Sequence, residues 1–311
     1  MNSHPITIDC QYVRPKFAAA YLTLEKKSAF FVEANTSHAV PLLLNQLKQA
    51  QMTPEQVDYI IITHVHLDHA GGTSALMKAC PNAVLLAHPR AAKHMMDPSR
   101  LISSARSVYG DETFKNLYGE IEPISPNRIR TLEDEEELHI GTRTLKFLHT
   151  RGHANHHFCI LDSGSNSIFT GDAFGLAYPA LQQRGLFIFP STSPTDFDPT
   201  EAILSIQKIV NSKVESAYLT HFGKIQDLQE AGNQLSAYLE FSEKLMNQAA
   251  SMQESSDKIE KFCFESLKDH STHLLEKKGI PVDSDVWSWL EMDIQLNAAG
   301  ITFSAIKKRK S

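Results

Sequence analysis

His64, His66, Asp68 and His69 crowd into the stretch IIITHVHLDHAGG (Ile60 to Gly72), directly behind a run of β-branched residues. Imidazoles and carboxylates have one chemistry in common: each offers a lone pair to a divalent cation. Side chains two apart in extended backbone point the same way, so His64 and His66 converge on one point. Asp68 and His69 lie just beyond, where the chain is expected to turn before a helix opened by Gly71 and Gly72. Three later positions supply further ligands, each at the carboxyl end of an expected strand or in the turn after one. HTRGHANHH presents His153, SIFTGDAFG ends on Asp172, and SAYLTHFG ends on His221. His64, His66 and His153 make one three-nitrogen site. Asp68, His69 and His221 make a second, and the Asp172 carboxylate bridges the two. The expected cofactors are two divalent metal ions, Zn2+ foremost, although nitrogen and oxygen ligands also accept iron and manganese.

Such side chains need strands to aim them. Short β-rich runs occupy roughly residues 5 to 225: ITIDCQYV, AAYLTLE, SAFFVEA, VDYIIIT, AVLLAH, TLKFLHT, HFCILD, SIFTG and SAYLT. Helical spacing appears in AVPLLLNQLKQAQ and GTSALMKAC. From about Gln226 the pattern becomes wholly helical: DLQEAGNQLSAYLEFSEKLMNQAASM, SDKIEKFCFESLKDHSTHLLEKK and DSDVWSWLEMDIQLNAAG, with Gly279 and Pro281 punctuating the last two. The expected layout is a catalytic domain over residues 1–225 and a helical extension over 226–311.

Composition bounds the function. A chain of 311 residues with 42% hydrophobic and 21% charged residues is that of a soluble globular protein. The net charge of −6 argues against nucleic acid and anionic membranes, both of which select basic surfaces. Cys10, Cys80, Cys159 and Cys263 form no CxxC pair and read as reduced thiols of a cytoplasmic protein. The expected partner is a small-molecule substrate, and the helical extension either completes the pocket or forms a homodimer.

The ordered set THVHLDH, RGHANHH, FTGD and LTHFG resembles the metallo-β-lactamase-fold superfamily over roughly residues 18 to 225. That resemblance implies an αββα sandwich, an α/β fold with the dinuclear centre at one edge. It also implies a hydrolase, in which hydroxide shared by two metals attacks an ester, thioester or lactone carbonyl while Asp68 orients it and passes a proton to the leaving group. His157 falls where the glyoxalase II type carries a further histidine, whereas GDAFG and THFG depart from that type's usual phrases. Alternatives are a phosphodiesterase, a signalling or binding protein that keeps the metals for structure, and a diiron oxygen- or NO-reducing protein. The diiron relatives carry glutamate where His66 stands. His156 and His157 are candidates for supporting or substrate-facing roles. So are the segments Ala91 to Glu120 and Asp172 to Pro194, the latter through Phe174, Tyr178 and Phe189.

Overall fold

The computed structural model describes residues 4–192 and 195–310, so the last two residues of the Asp172 to Pro194 loop lie outside the described residues. The chain forms two compact units. The first comprises Met1–His149, His156–Gly171 and Val214–Gln226; the second comprises Thr150–Asn155, Asp172–Lys213 and Asp227–Ser311.

Two six-stranded sheets build the first unit. One holds β1 (Ile6–Asp9), β2 (Ala19–Glu25), β3 (Ser28–Val32), β4 (Val57–Ile61), β5 (Val84–Ala87) and β6 (Ile129–Thr131), in that spatial order. The other runs β12 (Gly223–Ile225), β11 (Ser216–Leu219), β10 (Ser167–Gly171), β9 (Phe158–Asp162), β8 (Arg143–His149) and β7 (Glu137–Ile140). Both are mixed: β3, β4, β5 and β6 pair in parallel, as do β10 and β11, and the other pairs are antiparallel.

Period-two alternation decides what faces what. Tyr21, Phe30, Val32, Ile61 and Leu86 from the first sheet join Leu145, Phe147, Phe158, Ile160, Phe169 and Tyr218 from the second in one buried layer. The alternate residues Leu22, Phe31, Ile60 and Leu85 turn to the opposite face. There they meet Leu43 and Leu47 of α1 (Val40–Gln49), Leu76 and Met77 of α3 (Thr73–Ala79), and Ala91 and Met95 of α4 (Pro89–Met96). A one-turn helix α2 (Leu67–Ala70) precedes α3, and α5 (Ser99–Tyr109) and α6 (Asp111–Tyr118) follow α4.

A buried ion pair lies within this unit. The Arg143 guanidinium bonds the Asp162 carboxylate, which also accepts hydrogen bonds from Ser165 Oγ and from Gly164 N at 3.0 Å. Removing one partner of such a pair leaves an uncompensated charge, which costs about 3–5 kcal/mol. Arg143→Met is therefore expected to lower the unfolding free energy by that amount, read as a lower urea midpoint at unchanged slope. A midpoint equal to the parent's would show the pair to be energetically idle.

In the second unit, α7 (Pro199–Asn211) and α8 (Leu228–Ser251) begin on aspartate caps: Asp198 accepts from Thr200 N and Glu201 N, and Asp227 accepts from Glu230 N. Helices α9 (Ser256–Lys277) and α10 (Ser284–Lys310) complete it. The last helix runs past Gly300 to Lys310, with Ile301 and Ala305 buried on its apolar face. Among the described residues no helix is long and apolar enough to cross a membrane.

Candidate metal centre

Strand β4 delivers the clustered stretch. His66 caps α2, and Asp68 and His69 ride on that single helical turn rather than in an open loop as expected from the sequence. The glycines have a different task from the one expected. Gly71 and Gly72 both have negative φ, but a Cβ on Gly72 would stand 2.4 Å from Ala34 O and 2.5 Å from Thr36 O. They admit close backbone approach, which lets Ala34 N donate to His69 O at 3.0 Å and Gly72 N donate to Asn35 O at 2.8 Å. The loop after β3 is thereby fastened beneath the ligands, and Asn35 Nδ2 adds a bond of 2.7 Å to Asp68 O.

Glu33 organises the layer below. It sits just past β3 at φ +67°, fully buried. Its carboxylate accepts from Thr63 Oγ1 at 2.5 Å, His69 Nδ1 at 3.0 Å, Thr63 N at 3.3 Å and Thr220 Oγ1 at 3.3 Å. A carboxylate only accepts, so His69 carries its hydrogen on Nδ1 and turns a bare Nε2 lone pair outward. The same logic runs through its neighbours. Thr63 gives its hydroxyl hydrogen to Glu33, so its oxygen accepts from His64 Nδ1 at 3.1 Å and bares His64 Nε2. That Nε2 lies 2.9 Å from His66 Nδ1. His221 gives its Nδ1 hydrogen to Phe17 O at 2.9 Å, and its Nε2 faces Asp68 Oδ2 at 3.3 Å, with His69 Nε2 at 3.9 Å from the same oxygen.

The second unit repeats the device with its own two candidates. His153 Nδ1 lies 3.1 Å from Ser191 O, and His153 Nε2 lies 3.5 Å from Asp172 Oδ2, with both residues buried. Lone pairs set nitrogen to oxygen at these distances with no hydrogen between them repel unless a cation lies between. The donor set is therefore the one a divalent ion requires. Asp68, His69 and His221 bring their ligand atoms within 4.8 Å of one another.

The first unit thus gathers His64, His66, Asp68, His69 and His221, and the second pairs His153 with Asp172. His157 is buried, with its ring centroid 5.0 Å from that of His64, and half-buried His156 lies 5.8 Å from His66. Gly171, at φ +49°, is needed there, since a Cβ would meet His157 Nε2 and Thr63 Oγ1 at 2.5 Å each. Phe174, Tyr178 and Phe189, expected to face substrate, are buried, and Tyr178 donates to Asp293 Oδ2 at 2.8 Å. They build the core of the helical unit. The sequence reading missed Glu33, Thr63 and Thr220. The only trace of Glu33 was an acidic residue at the end of an apolar strand, a position where charge costs energy unless it is used.

Facing mixed sheets whose strand ends carry anchored imidazoles and carboxylates define an α/β metal-binding protein. The model of the metallo-beta-lactamase superfamily matches residues 24–221, and the chain belongs to that superfamily. It is 24% identical over 216 residues to ST1585, a metallo-beta-lactamase fold-containing protein of Sulfurisphaera tokodaii, covering 68% of this chain and 75% of that one. The crystal structure of ST1585 matches with a TM-score of 0.64 at 21% identity, over 96% of this chain and 97% of that one. A probable hydroxyacylglutathione hydrolase of Schizosaccharomyces pombe is 27% identical over 158 residues, 49% of this chain and 47% of that one. An atrochrysone carboxyl ACP thioesterase of Aspergillus terreus is 21% identical over 159 residues, 50% of this chain and 38% of that one. The chain therefore spans less than half the length of these last two relatives.

Proposed function

We propose that the protein is a dinuclear metal-dependent hydrolase of ester or thioester bonds in small molecules. His64, His66 and His153 would hold one ion and Asp68, His69 and His221 the other, with Asp172 as a further carboxylate ligand. The observation that carries the reading is a ring orientation shared by four of the imidazoles, His66 being the exception with its Nδ1 at 2.9 Å from His64 Nε2. His64, His69, His153 and His221 each have an acceptor at Nδ1, which leaves Nε2 as a ligand. Imidazoles packed for structure alone have no reason to share that polarity. The names of the hydrolase and thioesterase relatives support the choice of bond, and the net charge of −6 disfavours a polyanionic substrate.

Bound there, divalent ions supply Lewis acidity and lower the pKa of water from 15.7 to about 7. The chain's own residues do the rest. Glu33 and the Phe17 and Ser191 carbonyls hold the rings against rotation. Asp68 is the most exposed of the carboxylates in the set, with 26% of its side chain accessible against 7% for Asp172 and 1% for Glu33. Its carboxylate is placed to take the proton of the attacking water and deliver it to the leaving group. Elemental analysis of the purified protein is expected to find about two divalent ions per chain. The metal-loaded protein should cleave p-nitrophenyl and thioester acyl substrates and leave bis(p-nitrophenyl) phosphate intact. Metal-loaded protein inert towards every ester and thioester would sink the reading, and phosphodiester cleavage alone would redirect it to phosphoryl chemistry.

A further inference from the structure

Helix α10 is apolar on two opposite sides. Leu290, Ile294, Ala298, Ile301 and Ala305 are buried on its inner side. Asn297 fastens that side, accepting from Thr192 N at 2.7 Å and donating to Pro190 O at 2.9 Å. The helix therefore cannot roll to hide what lies opposite. There Leu296 is 37% exposed and Phe303 43%, and Trp289, Met292 and Ala299 are half-buried. Positions 289, 292, 296, 299 and 303 alternate in steps of three and four, which lays all five side chains along one stripe of the helix. A lone exposed leucine needs no explanation. A continuous apolar stripe on a helix whose other side is already covered marks a contact surface. Tyr178 braces Trp289, with centroids 5.5 Å apart, so the stripe stands ready-made.

Its two ends carry opposite charge. Asp285 stands 11 residues before Leu296 and Lys307 stands 11 after, about three helical turns each way, and both are exposed. The basic residues next to Lys307 are engaged at the end of α8. Lys308 Nζ donates to Asn247 Oδ1 at 2.7 Å, and Arg309 donates to Ala249 O at 2.8 Å and Ala250 O at 2.9 Å. Among the described residues neither Asp285 nor Lys307 is ion-paired. Acid at the start of a helix and base at its end suit the helix's own dipole. The dipole does not require that both close one apolar stripe at equal distances from its middle. Turned end for end about a two-fold axis at Leu296, a second α10 brings Lys307 of one copy to Asp285 of the other. The same turn sets Phe303 against Trp289, Met292 against Ala299, and Leu296 against itself. Self-complementarity of this kind is the condition for a two-fold interface.

We propose that the outward stripe of α10 is a homodimer interface, in which two copies of the chain pair their last helices antiparallel around Leu296. A helix from 285 to 307 is about 33 Å long and about 10 Å wide, well below the roughly 800 Å² per partner of a standard interface. The dimer is therefore reversible, with a Kd on the order of 1–100 µM.

Sedimentation velocity of the full chain from about 1 to 200 µM should pass from the mass of one chain to that of two. Leu296→Glu sets two carboxylates against each other on the axis and should keep the chain monomeric throughout, with Tm near the parent's. Leu204→Glu is the control: Leu204 of α7 is more exposed, at 53%, and lies off the stripe, so this variant should dimerise as the parent does. Asp285→Lys and Lys307→Glu should each weaken the dimer about three- to thirtyfold, and the double variant should return to within about threefold of the parent. Only antiparallel pairing gives that recovery, because a parallel pair would set each charge against its own copy. The native cysteines are buried, so Leu296→Cys offers one accessible thiol, and a short bis-maleimide should join two chains through it. A parent that stays monomeric to about 200 µM, a dimer indifferent to Leu296→Glu, or a charge swap without recovery would each overturn the proposal. A monomer that instead binds phosphatidylcholine vesicles through Leu296 would give the stripe to a membrane and overturn it equally.

Discussion

Asp68→Asn is expected to lower kcat for ester or thioester hydrolysis by roughly 10²- to 10⁴-fold, the range over which a positioned acid–base group acts. The substitution is nearly isosteric and keeps one oxygen able to ligate, so the metals should stay. What it removes is a group that can accept a proton and release it again. In the native site Asp68 Oδ2 lies 3.3 Å from His221 Nε2 and 3.9 Å from His69 Nε2, and both rings carry their hydrogen on the far nitrogen. Neither ring can substitute for it, because a nitrogen engaged as a ligand has no lone pair left for proton transfer. An amide N–H set against a bound cation is disfavoured, so the asparagine oxygen should face the ion and hold the geometry. The measurement is kcat for a p-nitrophenyl ester, with metal content by elemental analysis and Tm on the same preparation. A variant within about threefold of the parent in rate, metals retained, would remove Asp68 from the proton path and favour a structural role for the centre.

The candidate ligands were legible because they concentrate chemistry at places that strand patterning already marks. VDYIII, SIFTG and SAYL are apolar, β-rich runs, and all three appear as strands: β4, β10 and β11. What the sequence hid was of two kinds. Contacts between distant residues leave no local signal: Tyr12 and Tyr118 are 106 residues apart and Glu33 and Thr220 are 187 apart, yet each pair is hydrogen-bonded. Aromatic residues near a ligand in sequence also look alike whether they face substrate or core. Phe174, Tyr178 and Phe189 follow Asp172 closely, but the second unit needed their area, and its helices bury them. Its makeup was equally hard to foresee. Residues 150–155 and 172–213 group with the helices after 226, because Asp198 N bonds Gly152 O, Thr192 bonds Asn297, and Ser205 Oγ bonds Arg151 O. Hydrophobic periodicity assigns a segment its secondary structure but not the body that covers it.

Glu33 gives rise to the second large effect. Glu33→Gln is expected to weaken metal affinity about 10- to 100-fold, the usual cost of losing the group that orients a ligating histidine. Four donors converge on its carboxylate: Thr63 N, Thr63 Oγ1, Thr220 Oγ1 and His69 Nδ1. Glutamine keeps one acceptor oxygen and replaces the other with an amide that must point at one of these donors. Two donors then face each other in a site with no solvent, and one must turn away. The hydrogen bonds print the order of the consequences. If His69 yields, its ring rotates or its hydrogen moves to Nε2, and a ligand is lost. If Thr63 yields, its hydroxyl no longer accepts from His64 Nδ1, and the effect passes to the adjacent ring. Either route weakens binding through a residue that touches no ion. Unfolding of the metal-free variant separates this from general damage: one buried unsatisfied donor should cost about 1–3 kcal/mol, which leaves the fold intact. Competition with a chromophoric chelator reads the affinity directly. An affinity within about threefold of the parent would mean that the imidazoles hold their tautomers without Glu33, and the ring orientation shared by the four imidazoles would lose its physical cause.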